Sequence, residues 1–231
     1  MKYFVDKVLS FFWAKNCYWC NEPWYYFCPL CLQAQQRFEE VCYVCKKPSK
    51  NFSIHSACLW LSLEKVIVLF HYKKGPIKKL LWDAKYYKVQ SIYGDFLQEA
   101  VESIKKNIDE ETLKNTIITF PPMHFLRKWK RGYNHSEYFA KQIAEKLNIP
   151  LSPLLKKARY TPHQSHLTKQ QREKNLKESF SIQKRYIPFL YGKDVLIIDD
   201  VVSTGTTLSE CAKSLHAYWA NKVYACIIAS D

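Results

Sequence analysis

One stretch constrains this chain more than any other: Val195-Leu-Ile-Ile-Asp199-Asp200-Val-Val-Ser203-Thr-Gly205-Thr-Thr207-Leu208. Its four opening apolar residues read as a strand buried on both faces, the kind found inside parallel sheets. Open α/β sheets place ligands at the carboxyl ends of such strands, and here that end carries two adjacent acids able to accept hydrogen bonds from sugar hydroxyls. Beyond Val202, the residues Ser203, Thr204, Gly205, Thr206 and Thr207 set small hydroxyl side chains around one glycine, where a helix over 206–218 is predicted to start. The first amides of a helix have no partner within it, so N–H and O–H donors can surround a phosphate there. A helix cap accounts for one hydroxyl and a strand end for one acid, but the whole set exceeds both needs. The loop lacks the Gly-Lys-Ser/Thr ending of a Walker loop and has too few glycines for a dinucleotide fingerprint.

The remaining periodicity fits an α/β domain. Residues 222–229 form a second buried run, so strand, helix and strand make a right-handed βαβ unit. Upstream, the β-branched and aromatic run over 65–72 precedes a helix over 76–84, with Ile77, Leu80, Leu81 and Ala84 at helical steps. A second helix is predicted over 92–104, a short strand over 115–120 ended by Pro121 and Pro122, and helices over 136–147 and 169–177. The first sixty residues lack such periodicity, and no repeat is evident beyond paired cysteine steps. With 231 residues and 48% hydrophobic content, there is material for one domain, 63–231, plus a small module, 1–62.

Seven of the nine cysteines lie in that module, as Cys17-x2-Cys20, Cys28-x2-Cys31, Cys42-x2-Cys45 and His55-x2-Cys58. A thiolate pair two residues apart clasps a metal from a tight turn, and zinc accepts imidazole in place of one sulfur. Eight ligands fit two tetrahedral zinc sites, one of four thiolates and one of three thiolates plus an imidazole, so one or two zinc ions are expected, with sequential or interleaved pairing both open. A histidine is by itself an ordinary polar residue, and only its step to Cys58 makes His55 a ligand candidate. Cys211 and Cys226 fall within a helix and a strand, where a buried inert thiol is expected.

Charge adds a polyanion to the expected partners. The net charge is +14, and between Arg127 and Arg185 fifteen Lys or Arg face four Glu, a local excess of +11. Arg127, Lys128, Lys130 and Arg131 form its densest cluster, suited to a pyrophosphate or a DNA backbone. Trp129 and Tyr133 lie among these cations, where they could stack on bases or belong to the core. No apolar run is long enough to span a membrane and no cleavage signal follows Val8–Ala14, so a cytoplasmic protein is expected.

The run ending Asp-Asp-Val-Val-Ser-Thr-Gly-Thr-Thr resembles the signature by which type I phosphoribosyltransferases bind 5-phosphoribosyl 1-pyrophosphate (PRPP). Lys78–Tyr86, Lys130–Ser136, the region 161–180 with Gln164, Leu167, Arg172, Asn175 and Phe180, and the cysteine pairs in this order are similar to the ComF family, which serves DNA uptake in natural transformation. The resemblance implies an α/β fold of type I phosphoribosyltransferase-like class: a Rossmann-like, mostly parallel sheet flanked by helices, with a small N-terminal zinc-ribbon module. It further implies that Asp199 and Asp200 hold the ribose hydroxyls and that Ser203–Thr207 hold the 5-phosphate. Magnesium would accompany the pyrophosphate, and Phe120–Met123 would form the pyrophosphate loop, although Pro121 and Pro122 offer no N–H. Lys85, Arg131 and Arg172 are candidates on the same motif grounds. Tyr133 stands where phenylalanine is common, and His135 where glutamine is.

Three functions follow. The first is a PRPP-binding, DNA-binding protein for DNA uptake, contacting single-stranded DNA, with an uptake helicase or channel component as a further candidate partner. The second is an active phosphoribosyltransferase, with His163 and His166 in a lid over 156–166. The third is a zinc-ribbon nucleic-acid adaptor with a vestigial PRPP site.

Overall fold

The computed structural model describes residues 15–123, 129, 132–157 and 179–231, with no side chain described at 60 and 61. Its strands are β1 (Lys65–His71), β2 (Thr116–Thr119), β3 (Leu155–Lys157), β4 (Phe180–Ile182), β5 (Asp194–Val202) and β6 (Val223–Ser230). Four of these form one parallel sheet in the order β1-β6-β5-β2, while β3 and β4 pair antiparallel apart from it. The two interior strands, β5 and β6, are largely apolar and mostly buried, as burial on both faces demands.

Four longer helices accompany the sheet: α1 (Ile77–Tyr86), α2 (Leu97–Asn107), α3 (His135–Leu147) and α4 (Thr206–His216). Each buries one stripe, Ile77, Leu80, Leu81 and Ala84 on α1, and Phe139, Ala140, Ile143 and Ala144 on α3. Asn148 ends α3 in the left-handed conformation at φ 56, two residues before Pro150.

Several expectations shift. The single helix predicted over 92–104 is two, Ile92–Asp95 and α2, meeting at Phe96. Gly94 weakens the first of these, and the Asp95 carboxylate is drawn aside by the amides of Tyr26 and Phe27, each 2.9 Å away. The strand expected to stop at Ile198 runs on to Val202, because Val201 and Val202 pair with Ala229 and Ser230 of β6. The antiparallel pairing of β3 with β4 was not foreseen. The helix predicted over 169–177 lies outside the described residues.

Residues 15–62 contain only a short helix, Pro29–Gln33, and two 3-10 turns. Their buried side chains do not form a separate core. Phe27 meets Phe96 edge-on at 6.2 Å, the Phe38 amide donates to the Leu69 carbonyl at 3.0 Å, and Arg37 pairs with Glu99 while covering Phe70. No helix among the described residues is long and apolar enough to cross a membrane.

Candidate functional site

At the carboxyl edge of the sheet, β5 delivers Asp199 and Asp200 in succession, and neighbouring strand residues project to opposite faces. Each acid therefore meets a different set of partners. Ser136, in the first turn of α3, donates to Asp199 Oδ1 at 2.6 Å. Asp200 Oδ2 receives Lys85 Nζ of α1 at 2.9 Å and Tyr93 Oη at 3.2 Å. Burial pushes the Asp199 carboxyl up to about 7, helped by the charge of Asp200 beside it. Burial acts on Asp200 as well, but Lys85 and His135 outweigh it and hold that carboxyl below its ordinary value. One acid is thus ionised at neutral pH while the other is poised to share a proton.

Past Val202 the chain turns through Ser203 and Thr204 to Gly205, which precedes α4 with φ 75. A left-handed residue here suits glycine, and it lets the chain reverse into the helix within a few residues. Thr204 and Thr206 hydroxyls lie 2.9 Å apart, and Ser203 is exposed while Thr206 is buried. The N-cap residue of α4 is Gly205, which has no side chain to cap the helix; the Thr206 amide makes one long bond, 3.5 Å, to Thr204 Oγ1.

The segment Gly132–Ser136 ties this site together. Tyr133 Oη donates to the Ala84 carbonyl of α1 at 2.6 Å, and Asn134 Nδ2 to the Pro121 carbonyl at 3.0 Å, beside the end of β2. Tyr133 is therefore core, not a stacking surface, and its extra hydroxyl is satisfied. Trp129, by contrast, is 86% exposed. Arg127, Lys128, Lys130, Arg131, Arg172, His163 and His166 lie outside the described residues. Ser136 and Tyr93, which touch the two acids, were not singled out from sequence, although Ser136 closes the motif that begins at Lys130.

Both metal groups assemble in chain order. Cys17, Cys20, Cys28 and Cys31 bring their sulfurs within 4.8 Å of one another, and Cys42, Cys45, His55 and Cys58 do the same. Four donors about 2.3 Å from a shared tetrahedral zinc would stand roughly 3.8 Å apart. Cys20 and Cys28 sulfurs are 3.6 Å apart, and Cys45 Sγ lies 3.3 Å from His55 Nδ1, so the donor sets fit that ion. All cysteines are free of disulfides. Burial raises the thiols of Cys28, Cys31 and Cys58, yet amide N–H groups overcome it at the first cysteine of each group, holding Cys17 at about 6 and Cys42 at about 7. Cys211 and Cys226 are buried with raised pKa values, as inert core thiols.

The two groups open with one repeated turn, Cys17-Tyr18-x-Cys20-x2-Pro23 and Cys42-Tyr43-x-Cys45-x2-Pro48. Asn21 and Lys46 occupy the same left-handed position, at φ 65 and φ 59, and each amide bonds back to the leading cysteine's carbonyl at 2.9 Å. The repeat escaped sequence reading because its matching positions are few.

Residues 134–231 match the family model described as phosphoribosyl transferase domain. The chain is 32% identical over 158 residues to competence protein F of Haemophilus influenzae, covering 67% of each chain. It is 25% identical over 197 residues to the DNA utilization protein YhgH of Salmonella typhimurium, covering 81% of this chain and 83% of that one. A crystal structure of adenine phosphoribosyltransferase is similar at 17% identity, TM-score 0.39, over 62% of this chain and 74% of that one. The fold is a type I phosphoribosyltransferase-like α/β fold. The chain belongs to the ComF family.

Proposed function

We propose that the carboxyl edge of β5 binds PRPP and that the protein uses this site while handling incoming DNA in the cytoplasm. The observation carrying this reading is the succession of two acids, a hydroxyl loop and a helix start with glycine at its N-cap, at the end of an interior parallel strand. Asp199 and Asp200 accept from the ribose 2- and 3-hydroxyls. Val202, Ser203, Thr204, Gly205, Thr206 and Thr207 enclose the 5-phosphate, where backbone donors and the helix dipole favour an anion. Phe120–Met123, Arg131 and Lys85 face the pyrophosphate, with Lys85 keeping the buried Asp200 charge balanced.

Magnesium neutralises pyrophosphate charge in such complexes. Among the described residues both groups of three or more metal-capable side chains belong to the cysteine region, so magnesium would be held chiefly by ligand oxygens. Zinc in the two cysteine groups orders residues 1–62 as a module beside the ribose domain 63–231, since metal affinity becomes folding energy. Arg127, Lys128, Lys130, Arg131 and Arg172, within the +11 region, supply contacts to the backbone of single-stranded DNA. The competence and DNA utilization names of the relatives support a place in DNA uptake, alongside a helicase or channel component.

Calorimetric titration with PRPP, with and without magnesium and with oligonucleotide present, tests the reading. Saturable binding lost in the Asp199→Asn, Asp200→Asn double variant is expected, and absence of binding to the zinc-loaded wild type would refute it. Pyrophosphate release against a panel of bases then separates a bound signal from a transferred substrate.

A further inference from the structure

The repeated cysteine turn contains a tyrosine that metal ligation does not use. Tyr43, between Cys42 and Cys45, reaches across to the candidate phosphate loop, where its hydroxyl donates to the Ser203 carbonyl at 3.0 Å. That hydroxyl also accepts from Ser230 Oγ at 3.2 Å, at the end of β6 where Ser230 pairs with Val202. Tyr43 is 5% exposed and its ring carries Lys46 Nζ at 4.1 Å from the centroid, so its position is fixed by packing as well as by polar contacts. Tyr18 occupies the equivalent place in the first turn, and its hydroxyl donates to Asp83 Oδ2 of α1 at 2.6 Å, two residues before Lys85.

We infer that Tyr43 is a positioning residue for the phosphate loop, and that it couples the second metal group to phosphoribosyl binding. The inference rests on the proposed PRPP site. A trans peptide is planar, with its C=O and N–H pointing opposite ways. Holding the Ser203 carbonyl toward Tyr43 therefore turns the Thr204 N–H away from it, and a donor fixed beforehand binds an anion without the entropic cost of being ordered. Tyr43 lies within the turn from Cys42 to Cys45, so a metal held by those two sulfurs would stiffen the turn from which its hydroxyl reaches that carbonyl. Binding at one site then changes affinity at the other by the same factor. Packing alone would require the ring of Tyr43 but not its hydroxyl.

The test measures zinc release to a chromogenic chelator from the two-zinc protein, with and without saturating PRPP, for wild type and Tyr43→Phe. In wild type, PRPP should slow release of one of the two ions about five- to tenfold, the factor expected of one well-placed hydrogen bond. Tyr43→Phe should retain both ions, bind PRPP about five- to tenfold more weakly by calorimetry, and show no protection even when saturated. Equal protection in the saturated Phe variant would mean general stabilisation by ligand and would overturn the inference. So would unchanged zinc release in wild type, whatever the variant's folding. Wild type that binds no PRPP at all would sink the underlying site reading instead, a result that calorimetry distinguishes.

Discussion

Lys85 Nζ lies 2.9 Å from Asp200 Oδ2, joining α1 to the end of β5 across the candidate ribose site. The carboxylate side chain is 8% exposed and the ammonium 21%, so removing the cation strands a buried charge. Lys85→Met should cost about 3 kcal/mol in urea unfolding near neutral pH, the lower end for breaking a buried pair. Adding Asp200→Asn to that variant should recover part of the loss, because the stranded charge goes with it. Additive losses in the double variant would show that the two groups do not act as a pair.

Asp199 behaves oppositely with pH. Its folded pKa of about 7 lies above the ordinary unfolded value of about 3.9, so between these limits the folded chain holds a proton that the unfolded chain has released. Stability from this group is fully present below about pH 4 and is lost as pH rises through 7. Asp199→Asn stays neutral throughout, and its stability relative to wild type should rise over that window in unfolding curves taken at successive pH values. Ribose hydroxyls need the ionised acid as acceptor, so PRPP affinity in wild type should strengthen from about pH 6 to 8. A flat difference between the two proteins would remove Asp199 as the titrating group.

Gly205 reverses the chain into α4 at φ 75. A side chain in that conformation costs roughly 1–2 kcal/mol. Gly205→Ala should lower stability by that amount and weaken PRPP binding further than the stability loss explains, since the donors around the phosphate shift with the turn. An alanine variant with unaltered affinity would place the anion elsewhere.

The cysteine groups assemble in chain order, so each should lose its ion independently of the other. Elemental analysis should find two zinc ions per chain in wild type and one in either Cys28→Ala or Cys58→Ala. Under sequential pairing, the double variant holds none, and strong chelation exposes residues 15–62 to protease before the sheet unfolds. Retention of both ions in a single variant would exclude these ligand sets.

Much of this arrangement is legible in the amino-acid sequence, for physical reasons that differ by element. β5 announced itself because a strand buried on both faces must be apolar throughout, and the acids and hydroxyls after it have few structural uses together. Its true end at Val202 was hidden, because the pairing that extends it belongs to Ala229 and Ser230, far along the chain. The antiparallel pairing of β3 with β4 is hidden as well, since three residues on each strand carry no periodicity of their own. Chain-order assembly of the metal ligands could not be chosen from spacing, which allows interleaving equally. Tyr43 and Tyr18 looked like two aromatic residues among many. Only the fold shows their hydroxyls reaching Ser203 and Asp83.

A crystal of the zinc-loaded protein grown with PRPP and magnesium decides where the ligand sits. The 5-phosphate is expected within hydrogen-bonding distance of backbone N–H groups between Ser203 and Thr207, with the ribose hydroxyls on Asp199 and Asp200. Ligand density away from the end of β5, with the loop free of any anion, would contradict that placement.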